Sequence, residues 1–280
     1  MRLHDSSVRG DAVKYSNPPV VETVLSVQFD PLPNLGAGQL GSYWKTLGDD
    51  WPHVTDVPAV DPVYERFETS KMWEPPALGF KFSQKMDLRL QIRNRTTKDR
   101  MIQIQNGRFF YNWLGTPHKA YPSYESVRPE FDEQWDRFRE YVISQADNNA
   151  VRPNQWEILY VNHIPRGTAW NKLAELPEVL TFLSQPNFEH LGLTPEGIGG
   201  EWRFEIQPKK GRLYISLGLK VSEDGTPCIV MTLTARGPIV DGSISLDDGL
   251  EIGHKTITEA FDRLTSSKAQ HFWGVQHADG

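Results

Sequence analysis

The segment RMIQIQNGRFFYNWL, from Arg100 to Leu114, decides the fold class of this chain. Asn106-Gly107 separates two stretches of alternating side chains, and this dipeptide in such a context is the strongest short signal for a β-hairpin. With the pair as the loop, Gln105 lies opposite Arg108. Since side chains alternate between the two faces of a strand, the hairpin has an apolar and a polar face. The apolar face carries Ile102, Ile104, Phe109, Tyr111 and Trp113, and the polar face carries Gln103, Gln105, Arg108 and Asn112.

The segments around the hairpin extend it into a β-meander followed by a helix. DLRLQIRNR at 87–95 predicts a strand before the hairpin, and a long amphipathic helix is predicted after Ser123 because apolar residues recur every three or four positions. The β-branched, apolar segment Val20–Phe29 predicts the first strand, and a short helix is expected near 35–47. The Pro- and Trp-rich stretch 49–76 has no clear period and is interpreted as an insertion or long loop.

The second part of the chain repeats this order of elements. Further strands are predicted at 156–164, 201–207, 212–221 and 227–236, and helical segments at 170–182 and 250–264. VLSVQFDP at 24–31 resembles ILYVNHIP at 158–165, and EQWDRF at 133–138 resembles EAFDRL at 259–264. Similar separations between such matches are what an internal repeat would leave.

These patterns predict an α+β fold of two tandem β-α-β-β-β-α halves. The first half spans residues 1–150 and contains the insertion at 49–76, and the second spans 151–280. The two halves are expected to form one curved antiparallel sheet with the long helices packed on one face.

The composition limits the classes of function. A formal net charge of −6 and a pI near 5.8 argue against nucleic acid or an anionic membrane as the partner. The single cysteine, Cys228, excludes an internal disulfide and a thiolate metal cluster, and is typical of a reducing cytosol. The N-terminal sequence lacks the apolar segment of a signal peptide, and no stretch approaches the roughly 18 apolar residues of a membrane span. We therefore expect a cytoplasmic protein without a metal or other cofactor.

Segments spread from residue 17 to 274 together resemble a sporadically distributed, largely uncharacterised bacterial family. They are NPPVVE at 17–22, YPSYE at 121–125, EILYVNHI at 157–164, and the C-terminal H-x-x-I-x-x-x-F pattern at 254–261 followed by Trp273-Gly274. The resemblance implies a cytosolic bacterial protein and supplies no catalytic residues. Patchy inheritance is common among accessory, antiphage-defence and toxin-neutralising components.

Candidate binding residues come from two places in the predicted fold. The polar face of the hairpin, with Gln103, Gln105, Arg108 and Asn112, offers donors and acceptors to a peptide or base edge, or is an ordinary solvated sheet face. Tyr160, Asn162, His163 and His254 form the second group. Asn162 and His163 fit a buried polar network, whereas His254, placed at the start of the last helix, is interpreted as a capping, packing or binding residue.

Three functional hypotheses follow. The preferred one is a non-catalytic recognition protein that binds a protein partner, encoded nearby, through the polar face or an open sheet edge, with homo-oligomerisation as a further option. The alternative is a small-ligand or nucleotide-binding protein with a pocket between a long helix and the sheet, lined by Tyr160, Asn162 and His254. The third is a hydrolase assembled from Glu157, His163 and His254. The absence of a G-x-S-x-G elbow, a phosphate-binding loop and an H-E-x-x-H pattern favours a non-catalytic role and leaves enzyme activity open.

Overall fold

The protein is an α+β fold built on a nine-stranded sheet. The structure, a computed structural model, describes residues 14–67, 87–115, 120–145, 151–183, 192–222, 224–240 and 243–276. The strands are β1 (Lys14–Tyr15), β2 (Val20–Phe29), β3 (His53–Pro58), β4 (Leu88–Arg93), β5 (Arg100–Gln105), β6 (Arg108–Leu114), β7 (Pro153–Pro165), β8 (Gly199–Ile206), β9 (Gly211–Val221), β10 (Pro227–Pro238) and β11 (Val275–Gln276). The helices are α1 (Ala37–Thr46), α2 (Tyr124–Gln145), the single turn α3 (Gln207–Lys210), α4 (Leu246–Leu264) and α5 (Ser267–Phe272), with a 3-10 helix at Leu173–Glu178.

The strand order in the large sheet is β3-β4-β5-β6-β2-β7-β10-β9-β8, and each neighbouring pair is antiparallel. The predicted hairpin register is confirmed, since Gln105 pairs with Arg108 and Gln103 pairs with Phe110 across β5 and β6. The two central strands, β2 and β7, join the meander of the first part of the chain to that of the second. β1 and β11 form a separate two-stranded pair, so segments from both ends of the described chain meet.

The helices cover one face of the sheet because the apolar side chains of the strands point there. Phe109 of β6 packs against Phe131, Trp135 and Phe138 of α2, with ring centroids 5.4–6.1 Å apart. Farther along the sheet, α4 lies so close to β7 that a Cβ on Gly253 would come within 2.6 Å of Ile158. A glycine at this position is therefore a packing requirement.

α4 starts earlier than the sequence predicts, at Leu246 instead of residue 250. Ser245 is its N-cap, and its hydroxyl accepts a hydrogen bond of 3.1 Å from the Asp248 main-chain N–H. His254 consequently lies within the helix and is no cap. The predicted helical segment at 170–182 is shorter than expected, because the structure has a 3-10 helix at Leu173–Glu178 that contains Pro177.

The stretch 49–76 was interpreted as an insertion or long loop, and its described part is more ordered than that. It supplies β3, which pairs with β4 and is an edge of the sheet. Residues 59–67 then cross the sheet face opposite the helices. The side-chain amides of Gln28 and Gln105 hold this crossing segment through paired hydrogen bonds of 2.8–3.1 Å to the main chain of Val63 and Val60.

Among the described residues, the structure contains no helix with the length and apolarity that crossing a membrane would require.

Candidate binding site

A cavity of about 240 Å³ lies between the helix-covered face of the sheet and helices α2 and α4. Its floor is formed by side chains of β2, β7 and β10, and its walls by the start of α2 and the middle of α4. Its mouth lies beside the β1–β11 pair. The side chains that line it on the inside include Val20, Tyr160, Asn162, Leu233, Ile257 and Phe261, and all six are buried. The interior is therefore mostly apolar with a few fixed polar groups, as in most small-molecule sites.

A chain of hydrogen bonds between three aromatic residues forms one polar part of the cavity. The Tyr121 hydroxyl donates to the Tyr160 oxygen at 3.2 Å, and the Tyr160 hydroxyl lies 2.9 Å from Nδ1 of His254. Burial holds the pKa of Tyr160 well above its ordinary value and lowers the pKa of His254. Both groups are therefore uncharged near neutral pH. In the tautomer in which Nδ1 of His254 accepts the Tyr160 proton, the imidazole proton lies on Nε2.

His254 is held in position from two sides. Its ring stacks on Tyr124 with centroids 3.9 Å apart and an interplanar angle of 6°. The Tyr124 hydroxyl points away from this stack and donates to Glu251 at 2.9 Å, and Arg128 adds contacts to Glu251 at 3.3 Å and Asp247 at 2.5 Å. These bonds link the first turns of α2 to the first turns of α4. The imidazole is thus a rigid part of the cavity wall.

Asn162 supplies a further polar group on the floor. It is 3% exposed, and its Nδ2 donates to the main-chain carbonyl of Met231 on β10 at 3.2 Å. No described residue makes a hydrogen bond to its side-chain oxygen. Since the residue lines the cavity, this oxygen is an acceptor left for a bound molecule.

The charged groups of the cavity stand at its mouth. They are Lys14 on β1, which faces the uncharged Gln276 of β11, and Glu125 in the first turn of α2. All three are exposed. A hydrogen bond from Ser123 and the main-chain N–H of Glu125 itself lower the pKa of that carboxyl, so it is ionised at neutral pH. The mouth carries both signs of charge, whereas none of the described side chains that line the interior is charged.

The structure brings three of the predicted binding residues together and separates the fourth. Tyr160, Asn162 and His254 line the same cavity. His163, which follows Asn162 on β7, points to the opposite face of the sheet and is exposed. The expectation of a buried polar network shared by Asn162 and His163 is therefore wrong for His163, because neighbouring strand residues alternate between faces.

The predicted polar face of the hairpin is a buried network and no open surface. Gln103, Gln105, Arg108 and Asn112 are each at most 7% exposed. Gln91, Gln103, Asn112 and Glu22 form a row of side-chain hydrogen bonds of 2.7–3.1 Å across β4, β5, β6 and β2. Gln105 holds the crossing segment at Val60. Arg108 is bound to Ser26 and Glu157. All four residues are therefore buried and engaged within the protein, so the interpretation as a solvated display surface is corrected.

Arg108 belongs to a connected set of ion pairs on this same face, which we call the back-face network. It consists of Arg108, Glu157, Arg236, Glu65 and Arg212, joined by contacts of 2.5–3.2 Å. Glu65 comes from the crossing segment, and its side chain is 2% exposed. Burial alone would raise the pKa of Glu65, but hydrogen bonds from Tyr214, Arg236 and Arg212 outweigh it and lower the pKa.

The three residues of the hydrolase hypothesis, Glu157, His163 and His254, do not come together in one site. Glu157 is engaged with Arg108 and Arg236 on the back face, and His163 is on that face too, whereas His254 lines the cavity on the helix-covered face. Within the described part of the chain, no group of three or more His, Cys, Asp or Glu side chains is arranged to hold a metal ion. Cys228 is buried, and burial raises the pKa of its thiol.

The sequence analysis did not assign two tyrosines to the site. They are Tyr124, the first residue of α2, and Tyr121, which precedes the helix. Both lie in the YPSYE segment at 121–125, which carried part of the family resemblance. Their contribution depends on contacts with β7 and α4, about 40 and 130 residues away in the chain, and no local pattern encodes such contacts.

Comparison of the chain with models of protein families, with curated proteins and with solved structures finds no match.

Proposed function

We propose that this protein binds a small organic molecule in the cavity between α2, α4 and the sheet. The observation that carries the proposal is the combination of an apolar, buried interior with the polar groups Tyr160, Asn162 and His254, fixed by their own hydrogen bonds. Rigid polar groups in an apolar pocket give orientation and specificity to a ligand. The volume of about 240 Å³ lies just below the range of roughly 300–1,000 Å³ that is typical of ligand pockets, which suits a compact molecule.

The decisive experiment is a ligand-observed NMR screen of a fragment library against the wild-type protein and two matched variants. Thr258→Trp adds an indole at the wall of the cavity on α4. Thr256→Trp adds the same side chain to the same helix at a partly exposed position that does not line the cavity. We expect fragments that bind the wild type and Thr256→Trp but not Thr258→Trp. A screen without such fragments, with all three proteins folded by circular dichroism, would refute the proposal.

A protein partner is the second proposal, and one observation directs it to the edge strand β8. Phe204 on this strand is 50% exposed, and its neighbours Arg203 and Glu205 are exposed as well. An edge strand offers unpaired main-chain groups to another chain, while charged side chains restrict which chain can add to it. Phe204→Glu should abolish co-purification of a nearby-encoded protein, and unchanged co-purification would exclude β8 as the docking edge.

The biological setting is proposed from the sequence patterns alone. A bacterial cytosolic protein made of two tandem halves, with a role in antiphage defence or toxin neutralisation and a capacity for homo-oligomerisation, is consistent with the family resemblance and the repeated element order. Co-expression with the adjacent gene product followed by size-exclusion chromatography tests the partner and the oligomeric state together.

A further inference from the structure

In the part of the chain that the structure describes, the polar groups inside the cavity are all uncharged, and this limits the ligand. Tyr121 and Tyr160 keep their protons because burial raises the pKa of both hydroxyls, and burial lowers the pKa of His254 so that the imidazole is neutral. Asn162 carries no charge. Lys14 and Glu125 are exposed at the mouth. An ionic group pushed to the floor would lose its hydration without meeting an opposite charge, which is strongly unfavourable.

The same groups offer one unused acceptor and one unused donor. The side-chain oxygen of Asn162 has no partner among the described residues, because the amide nitrogen is the atom that binds the Met231 carbonyl. Nε2 of His254 likewise has no hydrogen-bond partner in the described part of the chain, while Nδ1 is occupied by Tyr160. A molecule that fills the cavity without a matching donor and acceptor would leave these buried groups unsatisfied.

We infer that the ligand is an electrically neutral molecule with an apolar body and, at its buried end, a hydrogen-bond donor together with an acceptor, as in a carboxamide or a lactam. The donor binds the Asn162 oxygen, and the acceptor binds Nε2–H of His254. This inference rests on the proposed small-molecule function and adds the chemical class.

Three probes of nearly identical shape test the class. Benzamide carries the neutral donor and acceptor, benzoate replaces the amide by an anion, and benzamidine replaces it by a cation. Dissociation constants measured by NMR titration of the wild-type protein at pH 7.5 should show benzamide binding at least about tenfold more tightly than either ion, a difference of about 1.4 kcal/mol or more. Thr258→Trp should abolish benzamide binding, and Thr256→Trp should leave it unchanged.

The position of the acceptor is tested separately with Asn162→Leu, which removes the side-chain oxygen at similar volume. We expect benzamide affinity to fall at least about tenfold in this variant, with benzoate still weak. The comparison of the three probes uses the wild type, so it is decisive even where Asn162→Leu fails to fold.

The outcomes separate this inference from the proposed function. Benzoate or benzamidine binding as tightly as benzamide, and lost in Thr258→Trp, would overturn the neutral class and leave the cavity as a binding site. Failure of all three probes, with library fragments still bound in the cavity, would overturn the inference as well. If no fragment of any kind enters the cavity, it is the proposed function itself that fails.

Discussion

Replacing Glu65 by alanine should destabilise the protein by about 3 kcal/mol, because the change removes the central carboxylate of the back-face network. The Glu65 side chain is 2% exposed and accepts hydrogen bonds from Arg212 at 2.5 Å, Arg236 at 2.6 Å and Tyr214 at 2.7 Å. Removing one partner of a buried ion pair lowers the free energy of unfolding by about 3–5 kcal/mol, because the remaining charges stay desolvated without a partner. The two arginines are 27% and 19% exposed, so water compensates in part and the lower end applies.

Urea unfolding at pH 7.5 measures this free energy, and a thermal melt should show a decrease in Tm of roughly 5 °C. Glu259→Ala is the matched control, because Glu259 is 49% exposed and forms only long contacts of 3.8 and 4.0 Å with Lys255 and Arg263. Its cost should be at most about 0.5 kcal/mol. If the two variants unfold at the same urea concentration, the ion pairs of Glu65 do not stabilise the packing of residues 59–67 on the sheet, and the reasoning is wrong.

The same carboxylate gives a pH signature with a defined sign. The pKa of Glu65 is lowered in the folded protein, whereas an unfolded glutamate has a pKa of about 4.3. Its stabilisation is therefore complete above that pH and is lost as the pH falls toward the folded-state pKa. Glu65→Gln should remove this part of the acid dependence, and an unchanged slope of stability against pH below about 5 would contradict the assignment.

The remaining predictions concern α4 and the histidines. Gly253→Ala should cost about 1–3 kcal/mol in urea unfolding, because its Cβ would lie 2.6 Å from Ile158, whereas Gly38→Ala in α1 meets no atom within 4 Å and should be neutral or stabilising. Burial lowers the pKa of His254, so stability should be complete above the unfolded value of about 6.5 and decrease below it. His254→Gln should remove part of that decrease, and since the pKa of His163 is lowered too, His163→Gln should remove a separate part.

Elements with a strong local pattern were predictable. The Asn106-Gly107 turn determines the register of β5 and β6, because a two-residue loop leaves one pairing and the alternation of apolar residues excludes a slip by one. The 3.6-residue spacing of the apolar side chains likewise predicted α2, which packs on β6 with Phe131, Trp135 and Phe138.

Elements without such a pattern were missed. β3 pairs with a single neighbour, β4, and most of its side chains are exposed, so no alternation of apolar and polar residues marks it. The crossing segment 59–67 is held by side-chain amides of Gln28 and Gln105, and glutamines in a strand look the same in sequence whether they face water or bind a covering chain. This is why the polar face was expected to be open.

The candidate site was predictable only in part, because it depends on contacts between distant segments. Tyr160, Asn162 and His254 were placed together on the assumption of a gap between a helix and the sheet, and the structure puts all three around one cavity. Their role in binding stays a prediction. The stacking of Tyr124 on His254 depends on how α2 and α4 lie side by side, which follows from the whole sheet and from no single segment.

The position of the cavity at the junction of β2 and β7 has a consequence for assembly of the site. Tyr121 and Tyr124 in its lining come from the first part of the chain, and His254 and Phe261, on the adjoining wall, come from the second. Neither part can enclose the space alone, so the cavity exists only where both parts are paired through β2 and β7. A molecule bound in the cavity would contact both parts of the chain. It would therefore stabilise the folded state, in which the two parts are paired, relative to any state in which they are separated.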